Sequence, residues 1–399
     1  MRRKIEKIYL IHQLDMNSRA GGILHVIGLA KGFIRQGIEV VVMAPKHGRT
    51  YDKLPFPVRY LPVIPHPRVL KILSYELALA VYLLQQRELW TKRAAIYVRR
   101  GTLLLAPLLI AKVFRLVSAV EENGVDWALE LGKLTGIEKW WHLFLRGINK
   151  VVFQLADFII VPTEGMKQYI MRRFPSADQK TFVVPNGVDL DVFHPLNLNT
   201  ARKYLNLPSG NRYMCFVGHF YPGRGLESLI ETLPKVIRRV PSVRVLLVGD
   251  GPLRKTLEEK VRQLGLEEHV LFTGSQPATT AALYIAASEV CLAPYDTLYS
   301  SLTSLSPLKL YSYMACARPV VISDIPIECR GLSEAARVVP PKQPDALAEA
   351  IIDLLNHPEE AMRMGKRGRE IVEKLYTWDV AAKKVLTVLN RGEDSCCEN

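Results

Sequence analysis

Short runs of apolar, largely β-branched residues alternate along this chain with longer segments of helical period, and the pattern starts twice. Parallel strands cannot be joined by a tight turn and need a crossover of a dozen or more residues, usually a helix, so repeated β-then-α segments imply parallel sheets covered by helices. The first series runs through Ile8–Ile11, a helix over 23–35, and Glu39–Ala44, then Ala95–Val98, Leu116–Val120, Phe158–Val161 and Thr181–Val184. In its first helix Ile23, Val26, Ile27, Ala30, Phe33 and Ile34 share one face, and Gly37 closes it. The second series runs through Tyr213–Val217, Val243–Val248, Val270–Phe272, Val290–Ala293 and Pro319–Ile322. Between them lies Pro185-Asn186-Gly187-Val188-Asp189, followed by Pro195, which is turn-forming material and reads as a hinge. The fold class is therefore α/β, with two Rossmann-like, doubly wound parallel-sheet domains over 1–195 and 196–374. A final amphipathic helix falls within 375–391, and 392–399 is a loose tail.

A length of 399 residues accommodates two cores. The longest apolar stretches, such as Leu103–Ala111 with Pro107 inside it, are shorter than the ~18–20 residues that cross a bilayer. Arg2, Arg3 and Lys4 look like the start of a signal peptide, but Glu6, Lys7 and Asp15 break up the stretch after them, so the chain is expected to remain cytoplasmic. The six cysteines lack CxxC spacing, which argues against a zinc site or a disulfide framework. The net charge of +14 is uneven: through residue 195 there are 28 Lys and Arg against 16 Asp and Glu. A basic first half suits an anionic surface. No nucleic-acid-binding motif accompanies it, so a peripheral contact with an anionic membrane or a lipid-linked phosphate is the expectation, with Arg99-Arg100 and residues 133–150 as candidate contacts. A basic surface without a target is the plain alternative.

Several local patterns favour phosphate. In Ser304-Leu305-Ser306-Pro307-Leu308-Lys309, Ser306 suits an N-cap and Pro307 a first helical residue, so a helix start there offers free N–H groups and the Lys309 cation to a diphosphate. Gly218-His219 ends a strand, and Gly223-Arg224-Gly225 leads into the next helix, where Arg224 could fork onto a phosphate. His219 by itself reads equally as a structural residue. Gly21-Gly22 opens the first helix in the same strand–turn–helix context, yet GxGxxG spacing is absent, so no nicotinamide cofactor is implied. Asp189-Leu190-Asp191 resembles a metal-binding pair but lies in turn-forming sequence, so no metal is assigned there. Glu121, Glu122 and Asn123 end an apolar strand, where one could meet an acceptor hydroxyl or simply be solvated.

With these pieces assembled, the sequence resembles the retaining glycosyltransferases of family 4, also called group 1, of GT-B fold. Carriers of the resemblance are Gly21-Gly22 with His25-Val26, Gly37-Ile38-Glu39-Val40, Val161-Pro162-Thr163, Val184-Pro185-Asn186-Gly187-Val188-Asp189, Phe216-Val217-Gly218 with Arg224-Gly225, Val248-Gly249-Asp250-Gly251-Pro252, Phe272-Thr273-Gly274, and Tyr313-Met314-Ala315 with Pro319-Val320-Val321. The resemblance implies two domains facing each other across a cleft, with the acceptor on the first and a nucleotide sugar on the second. It implies a phosphate role for Arg224, a diphosphate at the Ser306–Lys309 helix start, the base near Val270 and Phe272, a last helix that returns to the first domain, and no metal or other cofactor. His219 stands where relatives often have Arg, Asn123 about where they often have His, and Ser304 and Ser312 where they often have two carboxylates. The donor set implied is thus Gly21, Gly22, Gly218, Val270, Phe272, Ser304, Leu305, Ser306 and Ser312, with Arg224, Lys309 and His219 as the catalytic group.

The reaction implied is transfer of a sugar from a nucleoside diphosphate to a hydroxyl of a glycan or lipid-linked acceptor, with retention. Two alternatives share the fold: a non-catalytic sugar-nucleotide-binding subunit, which Ser304 and Ser312 would suit, and a nucleotide-sugar epimerase.

Overall fold

The structure is a computed structural model and describes residues 5–14, 16, 21–46, 54–91, 93–99, 104–124, 136–296 and 305–391. It divides into two compact units: Met1–Pro185 together with Trp378–Asn399, and Asn186–Thr377. The first boundary thus falls at Pro185, ahead of the expected 195, and the segment after it packs with the second unit.

In the first unit the strands are β1 (Lys7–Ile11), β2 (Glu39–Pro45), β3 (Val58–Leu61), β4 (Ala94–Arg99), β5 (Val117–Glu121), β6 (Phe158–Val161) and β7 (Thr181–Val183). They form one parallel sheet in the order β3-β2-β1-β4-β5-β6-β7. The chain winds outward from β1 through β2 and β3, then returns to place β4 on the other side of β1. The strand order therefore reverses between β1 and β4, and the carboxyl ends at such a switch point are where open α/β sheets bind ligands. β1 is buried from Ile8 to Ile11, the near-continuous apolar run expected of a strand covered on both faces.

The helix Gly21–Arg35 packs against the final helix, Trp378–Asn390. Glycines make that approach possible. A Cβ on Gly28 would come within 2.1 Å of the Trp378 indole, and one on Gly32 within 2.4 Å of the Trp378 carbonyl oxygen. Arg35 and Asp379 add an exposed ion pair at 3.2 Å. The other sheet face is covered by the helices Arg68–Leu84, Ala106–Phe114 and Gly136–Leu155, whose Tyr75, Leu79, Leu108, Val152 and Phe153 share a core with Tyr9, Ile11, Ile96 and Val98.

The second unit repeats the plan with β8 (Arg212–Val217), β9 (Val243–Val248), β10 (Val270–Gly274), β11 (Val290–Ala293), β12 (Val320–Ser323) and β13 (Ala336–Val339) in the order β10-β9-β8-β11-β12-β13. Every pair is parallel, and the order reverses between β8 and β11. The stretch read as a hinge is bonded into this unit. The Val188 N–H donates to the Tyr376 carbonyl at 2.9 Å. Asp189 makes a local turn, its carboxylate accepting the Asp191 N–H at 3.1 Å. The four described cysteines are free thiols, three of them buried.

Candidate functional site

Each unit gathers polar groups at its own reversal point. In the second, β8 ends at Val217 and hands over to Gly218 and His219, while β11 ends at Ala293 and leads to Tyr295. Between them stands Lys309, in the first turn of the helix Leu308–Ala315. Its ammonium is buried, lies 3.6 Å from the centre of the Phe216 ring and 5.2 Å from that of Tyr295, and has no hydrogen-bond partner. Two aromatic faces attract a cation by about 1–2 kcal/mol in a desolvated setting, which does not replace three hydrogen bonds to water. Burial first, and then the charge of Arg224, hold the Lys309 ammonium well below the ordinary lysine range. The same two cations, after partial burial, push His219 below the ordinary histidine range. Cations crowded in this way are stabilised by an anion.

The backbone is shaped for that grouping. A Cβ on Gly218 would stand 3.0 Å from Lys309 Nζ. Gly225 has φ +70° and a Cβ there would lie 1.4 Å from the Pro294 carbonyl oxygen, so only glycine lets the loop before the helix Leu226–Arg239 press against β11. That loop carries Arg224, whose guanidinium sits 5.5 Å from the Tyr295 ring centre. Arg224, Lys309, His219 and Gly218 are thus together, as the sequence suggested.

Other expected donor residues are placed differently. The helix begins at Leu308, one residue later than expected, with Pro307 rather than Ser306 in the capping position and no side-chain cap. The Ser306 hydroxyl instead accepts the Asn186 N–H at 3.1 Å and pairs with the Tyr311 hydroxyl at 3.2 Å, so it anchors the connecting segment. Ser312 is buried and donates to the Leu308 carbonyl at 3.0 Å, bonding back onto its own helix. Val270 is the first residue of β10, at the amino end of the strand, and belongs to the core. Phe272 packs edge-on to Phe220 and lies under the Arg254 guanidinium. Leu305 is bridged to Ile327, its N–H donating to the Pro326 carbonyl. Ser304 lies outside the described residues.

At the reversal point of the first unit, Glu121 is no solvated strand end. It is buried, with Oε1 2.6 Å from His25 Nε2 and accepting from Asn123 Nδ2, while Oε2 accepts the Tyr97 hydroxyl at 2.9 Å. Burial raises its pKa, but His25, Arg99 and Asn123 together outweigh burial and hold it at about 2. Glu122 is also buried and accepts the Gly124 N–H at 3.3 Å. Of the three expected acceptor residues, only Asn123 is partly open. Gly21 and Gly22 open their helix as expected, and a Cβ on Gly22 would lie 3.3 Å from an Arg99 guanidinium nitrogen. Arg99 therefore faces this cluster, its Nε buried and unpartnered, which removes it from the expected membrane contacts. Arg100 and residues 133–135 are outside the described residues.

Two histidines of this cluster escaped the sequence reading as site residues. His25 stacks edge-on to Trp378 at 4.7 Å and pairs with Glu121. A histidine among the apolar positions of the first helix was the available signal. His12, directly after β1, is fully buried, and its Nδ1 accepts the Leu14 N–H at 3.1 Å, which puts the ring proton on Nε2. That Nε2 has no partner, and burial, then Arg99, lower the His12 pKa to about 3. Among the described residues, Asp353, His357 and Glu360 alone come close enough to share a metal, and both carboxylates are already paired with Arg337.

Two parallel α/β units of this plan, each with a reversal point in its strand order, define the GT-B architecture. Sucrose-phosphate synthase from Thermosynechococcus elongatus superposes over 98% of this chain and all of that one, with a TM-score of 0.76 at 22% identity. HepE of Anabaena, solved with UDP and glucose, superposes over 96% of this chain and 99% of its own with a TM-score of 0.73 at 16% identity. The model of glycosyltransferase family 4 matches residues 20–192 and that of the group 1 glycosyl transferases matches 199–371. A GDP-mannose-dependent alpha-(1-6)-phosphatidylinositol monomannoside mannosyltransferase of Mycolicibacterium smegmatis is 27% identical over 390 residues, 94% of this chain and 96% of that protein. Its counterpart in Mycobacterium tuberculosis is 29% identical over 276 residues, 66% of this chain and 70% of its own.

The chain belongs to the family 4, group 1 glycosyltransferases. It is a nucleotide-sugar-dependent enzyme that transfers a glycosyl group.

Proposed function

We propose that the enzyme moves a mannosyl group from GDP-mannose to a hydroxyl of a lipid-linked acceptor, retaining the anomeric configuration and using no metal. The observation that carries the donor side is the buried, unpartnered Lys309 ammonium beside Arg224. The choice of base and sugar rests on the named mannosyltransferases, and the lipid-linked acceptor on the same relatives together with the basic first half of the chain.

In this reading the diphosphate enters the second unit at Gly218, where Lys309, Arg224, His219 and the N–H groups of the helix Leu308–Ala315 neutralise it. Breaking the C1–O bond leaves negative charge on the diphosphate, and preorganised cations away from bulk water lower the barrier for that step. They also supply the charge that a divalent ion would otherwise bring. The acceptor oxygen bonds to C1 as the C1–O(phosphate) bond breaks, and the acceptor proton passes to the departing phosphate oxygen. Glu121 suits this route better than a carboxylate base: both its oxygens are engaged and it is a weak proton acceptor at a pKa of about 2. It instead fixes the positions of His25, Tyr97 and Asn123, each of which is bonded to it, on the acceptor side.

The test is calorimetric titration with GDP, UDP and ADP, followed by transfer assays in EDTA with NMR of the product anomeric proton. GDP should bind tightest, Lys309→Ala and Arg224→Ala should each weaken it about tenfold or more, as loss of a charged hydrogen bond does, and the product should be the α-anomer. Preference for UDP would replace the donor assignment. Loss of transfer in EDTA that added divalent ion restores would sink the metal-free mechanism.

A further inference from the structure

The helix Arg68–Leu84 buries Ile72, Tyr75, Leu79 and Leu83 against the first sheet. Its opposite face is also apolar. Val69, Leu73, Leu77, Val81 and Leu84 follow one another at helical spacing and are each between 48% and 67% exposed. Leu109 and Val113 on the neighbouring helix Ala106–Phe114 are exposed at 51% and 76%. Beyond it, Trp140 and Phe144, one turn apart on the helix Gly136–Leu155, are exposed at 74% and 50%. All three helices cover the same face of the sheet, so these side chains form one outward surface on the order of several hundred Å², the size that marks an interaction site on a soluble protein.

The charges around it select the occupant. The three helices contain six Lys and Arg against two Glu. One of those acids, Glu76, is turned inward, where its carboxylate accepts the Ala106 N–H at 2.7 Å. Lys150 is exposed on the helix Gly136–Leu155, and Lys112, also exposed, is paired with Asp157 at 2.7 Å. An apolar surface on helices of net positive charge suits an anionic bilayer better than a second, equally basic copy of itself. No helix among the described residues is long and apolar enough to cross a membrane, so such a surface lies on the bilayer instead of spanning it.

We propose that this three-helix face is a membrane-insertion surface, its leucines and valines entering the acyl boundary of an anionic leaflet and Trp140 resting at headgroup level. The inference rests on the reading of a lipid-linked acceptor and gives it a location: the first unit is held at the leaflet by its own helices, separately from the polar cluster around Glu121. Because the anchor is apolar as well as basic, part of the binding should survive salt, which screens exposed charges but not buried apolar area.

The experiment is co-sedimentation of the full chain with vesicles of phosphatidylcholine alone or mixed with phosphatidylglycerol, at low and high salt, for the natural sequence and for Leu73→Glu with Leu77→Glu. Both positions are exposed, so the double variant should unfold at the same temperature as the natural protein. The expected result is binding to the anionic vesicles, reduced but present at high salt, and lost at least tenfold in the double variant, with Lys309→Ala binding like the natural protein. Unchanged binding in the double variant, or binding abolished by salt alone, overturns the insertion surface. A stable dimer of the natural protein that Leu73→Glu with Leu77→Glu dissolves would assign the face to a second copy. Transfer to a detergent-solubilised lipid acceptor separates the two readings: transfer without vesicle binding sinks only the surface, and vesicle binding without transfer to any lipid acceptor sinks only the acceptor assignment.

Discussion

Lys309 is held in the unliganded protein against its own interest. A buried cation without a hydrogen-bond partner destabilises the fold, and a side chain of similar length without charge removes that cost. Lys309→Met should therefore raise the stability of the unliganded enzyme by about 1 kcal/mol or more while weakening diphosphate affinity on the order of tenfold to a hundredfold. Thermal unfolding with and without nucleotide reads both effects, and a variant that is less stable and still stabilised by nucleotide would show that Lys309 serves packing alone. The lowered pKa values of Lys309 and His219 give a companion expectation. An arriving anion favours their charged forms and raises both values, so binding takes up protons and strengthens as pH falls through the range where the free groups have lost theirs. Titration calorimetry in buffers of different ionisation enthalpy detects that uptake. Arg224, Lys309, His219 and Gly218 were legible as a group because strand ends and helix starts of a parallel sheet meet at one edge. Ser312 was not, since its bond to the Leu308 carbonyl depends on which face of the helix it occupies. Ser312→Ala should accordingly leave the donor KM within about twofold, the cost being one backbone-directed hydrogen bond of about 1 kcal/mol or less.

At the scale of elements, the alternation of apolar runs and helical segments exposed most of both sheets, because central parallel strands are apolar along their whole length. β3 and β13 were missed for the converse reason: each lies at the edge of its sheet, and Arg59 and Arg337 interrupt four-residue strands. The final helix was expected to return to the first domain, and the glycines that receive it only acquire meaning once Trp378 is seen against them. Gly32→Val would place a branched side chain where even a Cβ comes within 2.4 Å of the Trp378 carbonyl oxygen. Backbone cannot yield as a flexible side chain does, so the helix Trp378–Asn390 must detach or the helix Gly21–Arg35 must shift. We expect a loss of about 2–4 kcal/mol, in the range of severe overpacking, with faster hydrogen exchange confined to those two helices. Exchange that rises in the second unit as well, or not at all, would contradict this account.

At the scale of the whole molecule, the buried acid–base cluster makes stability depend on pH in a direction that can be worked out. His12 has a folded pKa of about 3 against an ordinary value of 6.5, so the unfolded chain binds its proton first. The stability contributed by keeping it neutral is complete above pH ~6.5 and is lost at about 1.4 kcal/mol per pH unit as pH falls toward the folded value. Glu121, at about 2 against 4.5, adds a second loss that begins only below its ordinary value. Both groups sit at one end of the first sheet, so acid should weaken the unit formed by Met1–Pro185 and Trp378–Asn399 at that end. Between pH 7.5 and about 5.5 the expected loss in the first unit is on the order of 1.4 kcal/mol from His12 alone. Hydrogen exchange resolved by segment, measured at the two pH values, should show protection falling in β1, β4 and β5. His12→Gln, which keeps a donor but cannot titrate, should flatten the dependence above pH ~5 and leave the steeper fall below it, where Glu121 takes its proton. If that variant keeps the full slope between pH 7.5 and 5.5, the titrating group lies elsewhere and His12 is not the residue that burial holds neutral.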